Sequence, residues 1–165
     1  MDRPTPTRPT TRPTLTRPAL TPAAIARLKD SFRVVTQERV LAPLFYARLF
    51  ERNPSARALF PADMTRQHGH FNTALAILVG NLEYLGALDD PLRELGARHV
   101  AYGVRREHYA EFRDTLIDLL AECSGDLWSP RLRDDWWTAL TQVIAVLLDG
   151  AQEPHLGESG VFSST

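Results

Sequence analysis

The side chains with the widest chemical scope in this 165-residue chain are its five histidines. His68 and His70 stand two apart, which on a helix points them in different directions and makes a poor metal pair. His108 adjoins Glu107 at an expected helix start, and His155 falls in a polar tail. His99 differs, because it lies one turn beyond Leu95 and two beyond Leu92 on an apolar stripe. Two readings fit that placement. One is a core histidine satisfied by a backbone carbonyl, which spacing alone favours. The other is a single imidazole presented into an apolar cavity, as axial ligation of an iron macrocycle requires.

Other chemistries lack their signatures. No GxxxxGK[ST], GxGxxG, CxxC or HExxH occurs, and no defensible Ser/His/Asp or Cys/His spacing is present. Most carboxylates fall on polar faces, where charge usually means solvation. The single cysteine, Cys123, excludes an internal disulfide or a cysteine-ligated metal. It favours a reducing compartment, hence a cytoplasmic location, and near the end of an amphipathic helix it is expected to pack. A net charge of −1 excludes the broad basic footprint of a nucleic-acid binder. There is no run of about 20 apolar residues, so no membrane-spanning helix is expected.

With 44% hydrophobic residues the chain can bury one domain's core. Its prolines mark where that domain begins. Five of the twelve lie within residues 1–18, interleaved with threonines and with Arg3, Arg8, Arg12 and Arg17. Residues 1–20 cannot bury enough apolar surface to order themselves, so they are expected to form a disordered or polyproline-like basic extension. They lack the continuous apolar core of a secretory signal.

From residue 21 the prolines change role. Thr21-Pro22, Asn53-Pro54, Asp90-Pro91 and Ser129-Pro130 each pair a capping residue with proline at a first helical position. Apolar periodicity predicts helices over 22–36, 38–52, 67–85, 91–102, 106–122 and 130–149, with a short turn at 54–60 and a loop at 61–66. Pro43 should bend the second helix or lie in its first turn. His99 and Tyr102 are expected on one face with Leu92 and Leu95, and Gly103 ends that helix. The chain is thus expected to be all-α, with six or seven helices in a domain over 21–150 and a flexible tail over 151–165.

Three fragments carry more. They are "LFYARLFERNPSARALF" (44–60), "ILVGNLEYLGAL" (77–88) and "LGARHVAYGVRREHY" (95–109). In order and separation they resemble bacterial globins, specifically single-domain haemoglobins like the haem domain of flavohaemoglobins. The resemblance runs from about residue 22 to 149.

It implies a globin fold around haem b. His99 matches the proximal iron ligand through Nε2, and its other ring nitrogen then needs an acceptor, typically a backbone carbonyl. Phe60 matches the phenylalanine packed on the haem face, and Tyr46 the distal tyrosine. Counting back from "NLEYL" places Gln67 at the distal polar position and Phe71 one turn later. A one-residue slip substitutes Arg66, with His68 and His70 as further alternatives. If Gln67 caps its helix instead, Tyr46 serves the pocket alone. His70 and Arg98 are in reach of haem propionates by this alignment, or are solvated surface groups. Tyr109 matches the tyrosine of the proximal network. The glutamate that flavohaemoglobins place in the last helix has its match near Ala151, with no acid until Glu153.

The implied function is high-affinity binding of oxygen, with Tyr46 and Gln67 both donating to it. Nitric oxide and carbon monoxide are further gaseous ligands, and nitric oxide dioxygenation is a possible activity. Flavohaemoglobins carry a reductase domain after the globin, whereas this chain ends at Thr165, so an external reductase is the expected partner. The alternative is a haem-based gas or redox sensor acting through a partner protein. A haem-free globin-fold adaptor is a third reading, opposed by the presence of both His99 and Phe60.

Overall fold

In the computed structural model, residues 18–38 and 40–152 are described, with the side chain of Glu38 set aside. Most of the expected basic extension and of the C-terminal tail lies outside the described residues. Six α-helices form the domain: α1 (Pro22–Glu38), α2 (Leu41–Arg52), α3 (Thr65–Gly80), α4 (Asp89–Ala101), α5 (Arg106–Ser124) and α6 (Pro130–Ala151). Three 3-10 segments join them, Pro54–Leu59, Leu82–Leu88 and Gly125–Leu127, and no strand occurs among the described residues.

Two of the four proline signals work as expected. Thr21 Oγ1 accepts from the Ala24 amide at 3.2 Å, and Ser129 Oγ accepts from the Leu132 amide at 3.1 Å. Asn53-Pro54 does begin a helical turn, but the Asn53 side chain makes no cap. Its Oδ1 accepts from Ser55 Oγ and its Nδ2 donates to Glu111 on α5 at 2.8 Å. The fourth signal is displaced. α4 starts at Asp89 rather than Pro91, with Leu88 at the cap, and Pro91 is the third residue of the helix. Proline is tolerated there because first-turn N–H groups have no intrahelical acceptor, and Asp89 and Asp90 complement the helix dipole. The same constraint sets the start of α2. A helix running from residue 38 would drive the Pro43 ring into the carbonyl of residue 39. Val40 instead stays extended (φ −87°, ψ 93°), and Pro43 sits in the first turn without a bend.

The predicted helix over 67–85 is shorter and shifted. It begins at Thr65, whose amide donates to Asp63 Oδ1 at 2.9 Å, and it stops at Gly80. Asn81 ends it. Its Nδ2 donates to the Ile77 carbonyl at 2.8 Å, taking the acceptor that a continuing helix would give to its own amide. That amide turns to Leu78 at 3.1 Å instead. The chain tightens into the Leu82–Leu88 segment, with Tyr84 off helical geometry (φ −135°, ψ 45°), and the direction changes by 116°. Leu82 and Leu85 remain buried, so the apolar stripe runs through the break and hides it in the sequence.

The core is centred on Leu28, Val35, Phe45, Leu116, Leu119, Leu120, Trp136 and Val146, all almost fully enclosed. Cys123 is buried among them. Trp136 Nε1 donates to Ser31 Oγ at 3.0 Å, and Ser31 Oγ donates to the Leu28 carbonyl at 2.9 Å, so the buried indole and hydroxyl are both satisfied. Arg27 grips Asp135 with Nε–Oδ2 at 2.6 Å and Nη2–Oδ1 at 3.2 Å, tying α1 to α6. Gln142 Nε2 donates to the Pro18 carbonyl at 2.7 Å, and Leu20 packs on the core, so the chain already lies on the fold before residue 21. No single helix among the described residues is long and apolar enough to cross a membrane.

Replacing Ser31 by Ala strands the Trp136 indole N–H in the core. The expected loss is about 1–3 kcal/mol of unfolding free energy, measured by urea denaturation; a loss below about 0.5 kcal/mol means the indole has found another acceptor.

Candidate functional site

Tyr46 and Phe50 stand one turn apart on α2, and Tyr46 is only 5% exposed. Phe60 closes the Pro54–Leu59 turn with extended backbone (φ −120°, ψ 153°). Arg57 holds that corner. Its Nη1 donates to the carbonyls of Phe60 (3.1 Å) and Pro61 (2.9 Å), its Nη2 to Ala62 (3.2 Å), and its guanidinium lies 5.3 Å from the Phe50 ring centroid. Nothing in the spacing of "ARALFP" marks Arg57 for this, because its partners are backbone carbonyls downstream that exist only once the corner turns.

The rings then meet. Tyr46 lies 5.3 Å from Phe60 and 5.5 Å from Phe71 on α3, both edge-on. Phe71 stacks on Phe45 at 4.6 Å, and Phe112 of α5 meets Phe45 at 4.9 Å. These contacts make an apolar cluster with aromatic pair geometry. Within it Gln67 Nε2 donates to Tyr46 Oη at 2.8 Å. Gln67 therefore reaches Tyr46, and the residue before α3 is Met64, without a side-chain cap. His68 stacks on the Tyr46 ring at 5.6 Å. Burial raises the Tyr46 pKa above the ordinary phenol value, with the Gln67 bond opposing, so the group stays protonated at neutral pH. An accepted bond from Gln67 leaves the phenolic O–H free to donate elsewhere. His70 is exposed, outside this cluster.

His99 sits in the last turn of α4, half-buried. Its ring lies edge-on to Tyr109 at 6.0 Å. Burial first, and the neighbouring Arg98 charge second, lower its pKa, which keeps the imidazole neutral with a lone pair available. Arg98 itself is exposed. The expected carbonyl acceptor does not appear: Nδ1 is buried without a partner, as is the Tyr109 hydroxyl. The helix ends at Ala101 and Gly103 takes φ +83°. Tyr102 keeps its ring edge-on to His99 at 6.3 Å, as expected of one face, and is 61% exposed. His108 accepts from the Arg105 amide through Nδ1 at 3.1 Å, a helix-start contact.

Two features tie these parts together. A Cβ on Gly103 would lie 3.3 Å from Leu59 Cδ2, so the turn after α4 touches the corner that carries Phe60. On the other side, Tyr109, Thr141 and Asp149 line an open cleft of about 670 Å³ between α5 and α6. Asp149 is an acid of α6, two residues before Ala151. It pairs with Arg93 Nε at 2.7 Å. The sequence holds only a weak sign of this, since the pairing depends on where α4 crosses α6.

Among the described residues no group of three or more His, Cys, Asp or Glu side chains gathers to hold a bare metal ion. A lone neutral imidazole beside aromatic rings instead suits a metal that brings its other ligands with it, as in a porphyrin.

Comparison with known proteins agrees. The family model described as Globin matches residues 44–147. The flavohemoprotein of Bordetella pertussis is 33% identical over 110 residues, covering 63% of this chain and 27% of that protein. This chain thus spans about a quarter of that relative's length. An anaerobic nitrite reductase of Gossypium hirsutum is 27% identical over 121 residues, 62% of this chain and 72% of that one. In structure, a Pseudomonas aeruginosa protein described as structurally highly homologous to a human hemoglobin superposes with a TM-score of 0.70 at 28% identity, over 79% of this chain and 99% of that one. Helix arrangement, aromatic corner and sequence match agree: the chain belongs to the globin family, with haem as its cofactor.

Proposed function

We propose that this globin binds oxygen with high affinity and, supplied with electrons by a reductase, converts nitric oxide to nitrate. The observation that carries the reading is the 2.8 Å bond from Gln67 to Tyr46 inside an aromatic cluster. Haem, when bound, supplies the iron that takes a diatomic gas, and His99 is the residue that would hold it. Phe60 and Phe71 would offer the macrocycle apolar surface, and the exposed His70 and Arg98 would be suited to its propionates.

The work of Tyr46 is to donate. Gln67 occupies an acceptor position on the phenol and so orients its remaining O–H. That proton then stabilises a ligand atom that gains partial negative charge. A charge-assisted bond of this kind contributes about 1.5–3 kcal/mol, roughly one to two decades in affinity. In this reading Gln67 acts mainly through Tyr46, one N–H of its amide resting on the phenol. His68, stacked on the phenol, limits its rotation. The exclusion of water by the rings keeps the bond strong.

Nitric oxide and oxygen combine to nitrate with one electron consumed per turnover, so a protein that retains oxygen needs a reductase to cycle. The Gossypium relative named an anaerobic nitrite reductase supports nitrogen-oxide chemistry as the reaction class.

Purified protein should show a Soret band that His99→Ala abolishes or weakens; an unaltered band removes His99 as ligand. Tyr46→Phe should accelerate oxygen release at least about tenfold in stopped-flow measurements. Gln67→Leu should accelerate it less, and should add little in the Tyr46→Phe background, because the two residues act as one unit. Independent, additive effects would refute the relay. Mixing the oxygenated protein with nitric oxide should yield ferric haem and nitrate in equal amounts within the mixing time; slow or absent nitrate leaves oxygen binding without the enzymatic activity.

A further inference from the structure

The seam between α4 and α6 is built by backbone rather than by side chains. A Cβ on Gly96 would sit 1.9 Å from the Leu147 carbonyl oxygen and 2.8 Å from its carbon. A Cβ on Gly150 would sit 2.0 Å from the Arg93 carbonyl oxygen and 2.5 Å from its Cα. The arrangement is reciprocal. Each glycine seats on the other helix's backbone, Arg93 and Gly96 being three apart on α4, Leu147 and Gly150 three apart on α6. No other residue type fits at either point without separating the helices. Beside the crossing, Arg93 Nε meets Asp149 Oδ2 at 2.7 Å, and the Arg93 side chain is only 13% exposed. Its Nη1 also reaches Asp90 at 3.4 Å.

His99 is the next step along the same ridge, three residues beyond Gly96. Positions three apart share a helix face, so the depth and register of the Gly96 contact carry directly to the imidazole. We propose that Gly96, Gly150 and the Arg93–Asp149 pair form a register lock that positions His99 toward the haem iron; this rests on the reading of His99 as the iron ligand. The two glycines set how closely α4 approaches α6, and the ion pair stops one helix sliding along the other. The lock also commits the α6 carboxylate to Arg93. Asp149 therefore does not serve the His99 Nδ1, which remains buried without a partner. Orientation of the ligand comes from helix packing in place of an anionic hydrogen bond.

The test uses the full-length haem-loaded protein with three readouts: the iron–histidine stretching band of the ferrous protein by resonance Raman, the rate of haem loss to an excess of an acceptor apoprotein, and the far-UV circular dichroism. Gly96→Ala should shift the band to lower frequency, broaden it, and raise haem loss by about 10- to 100-fold, the usual consequence of disturbing a ligand's support. Arg93→Leu should move both readouts the same way. Asp149→Asn, which keeps an acceptor for Arg93, should retain most of the wild-type values. Ser31→Ala, which weakens the core away from α4, should leave the band in place, separating positioning from general loosening. If Gly96→Ala loses its helical signal, Arg93→Leu decides. A wild-type protein without a histidine band, or a band that survives His99→Ala, overturns the ligand reading and the lock with it. A wild-type band that stays unmoved in folded Arg93→Leu and Gly96→Ala proteins overturns the lock alone.

Discussion

The hydrogen bond between Gln67 and Tyr46 joins α2 to α3 through a cluster of aromatic rings, and much of the surrounding architecture exists to make it possible. A phenol enclosed by phenylalanines needs a polar partner, because an unpartnered polar group in such surroundings costs kilocalories, and the half-buried Gln67 amide supplies it. Bringing them within 2.8 Å requires α3 to start at Thr65 and the chain between the helices to turn sharply after Phe60. Arg57 holds that turn by gathering three carbonyls, and its cation covers the Phe50 ring. The polar and apolar parts of the cluster are therefore one construction. Burial pushes the phenol further above its ordinary pKa, and one bond orients it.

The other half of the domain is organised by a different constraint. α4 is short and carries a histidine that the core cannot enclose completely, so it needs an anchor that does not depend on large side chains. Glycines at 96 and 150 let the two backbones touch, and α4 makes its most extensive packing with α6. Close backbone approach gives a rigid seam from few atoms, since there are no side-chain rotamers to rearrange. The two halves meet where Leu59 rests on Gly103. One helix pair thus presents a donor, the other an imidazole, and the loops that follow them are in contact.

Much of this was legible in advance. Proline after a capping residue marked the starts of α1 and α6 because both halves of that signal are local: an oxygen for an orphan amide, and a ring that needs no partner. The all-α class followed from apolar spacing, and His99 stood out by its place on a stripe. The failures share a cause. Asn81 ends α3 through a side chain that competes for a carbonyl, yet Leu78, Leu82 and Leu85 continue the apolar period past it. A 3-10 turn keeps residues three apart on one side, so periodicity cannot see the break. Pro91 marked α4 but misplaced its start by two residues, since proline is acceptable anywhere in a first turn.

What the sequence determined alone was the set of parts: which segments are helical, which residues are apolar enough to be enclosed, and which few side chains have chemistry to offer. These are properties of neighbours along the chain, and short-range physics settles them. Only the tertiary structure decided the partnerships. Gln67 with Tyr46, Arg57 with the Phe60 corner, Arg93 with Asp149 and Gly96 with Leu147 each join residues through the fold. Each pairing depends on a helix crossing or a turn whose position no local preference specifies. Asp149 shows this best. Counted along the chain it was one acid among many, and it gained a role only when two glycines let α4 settle against α6.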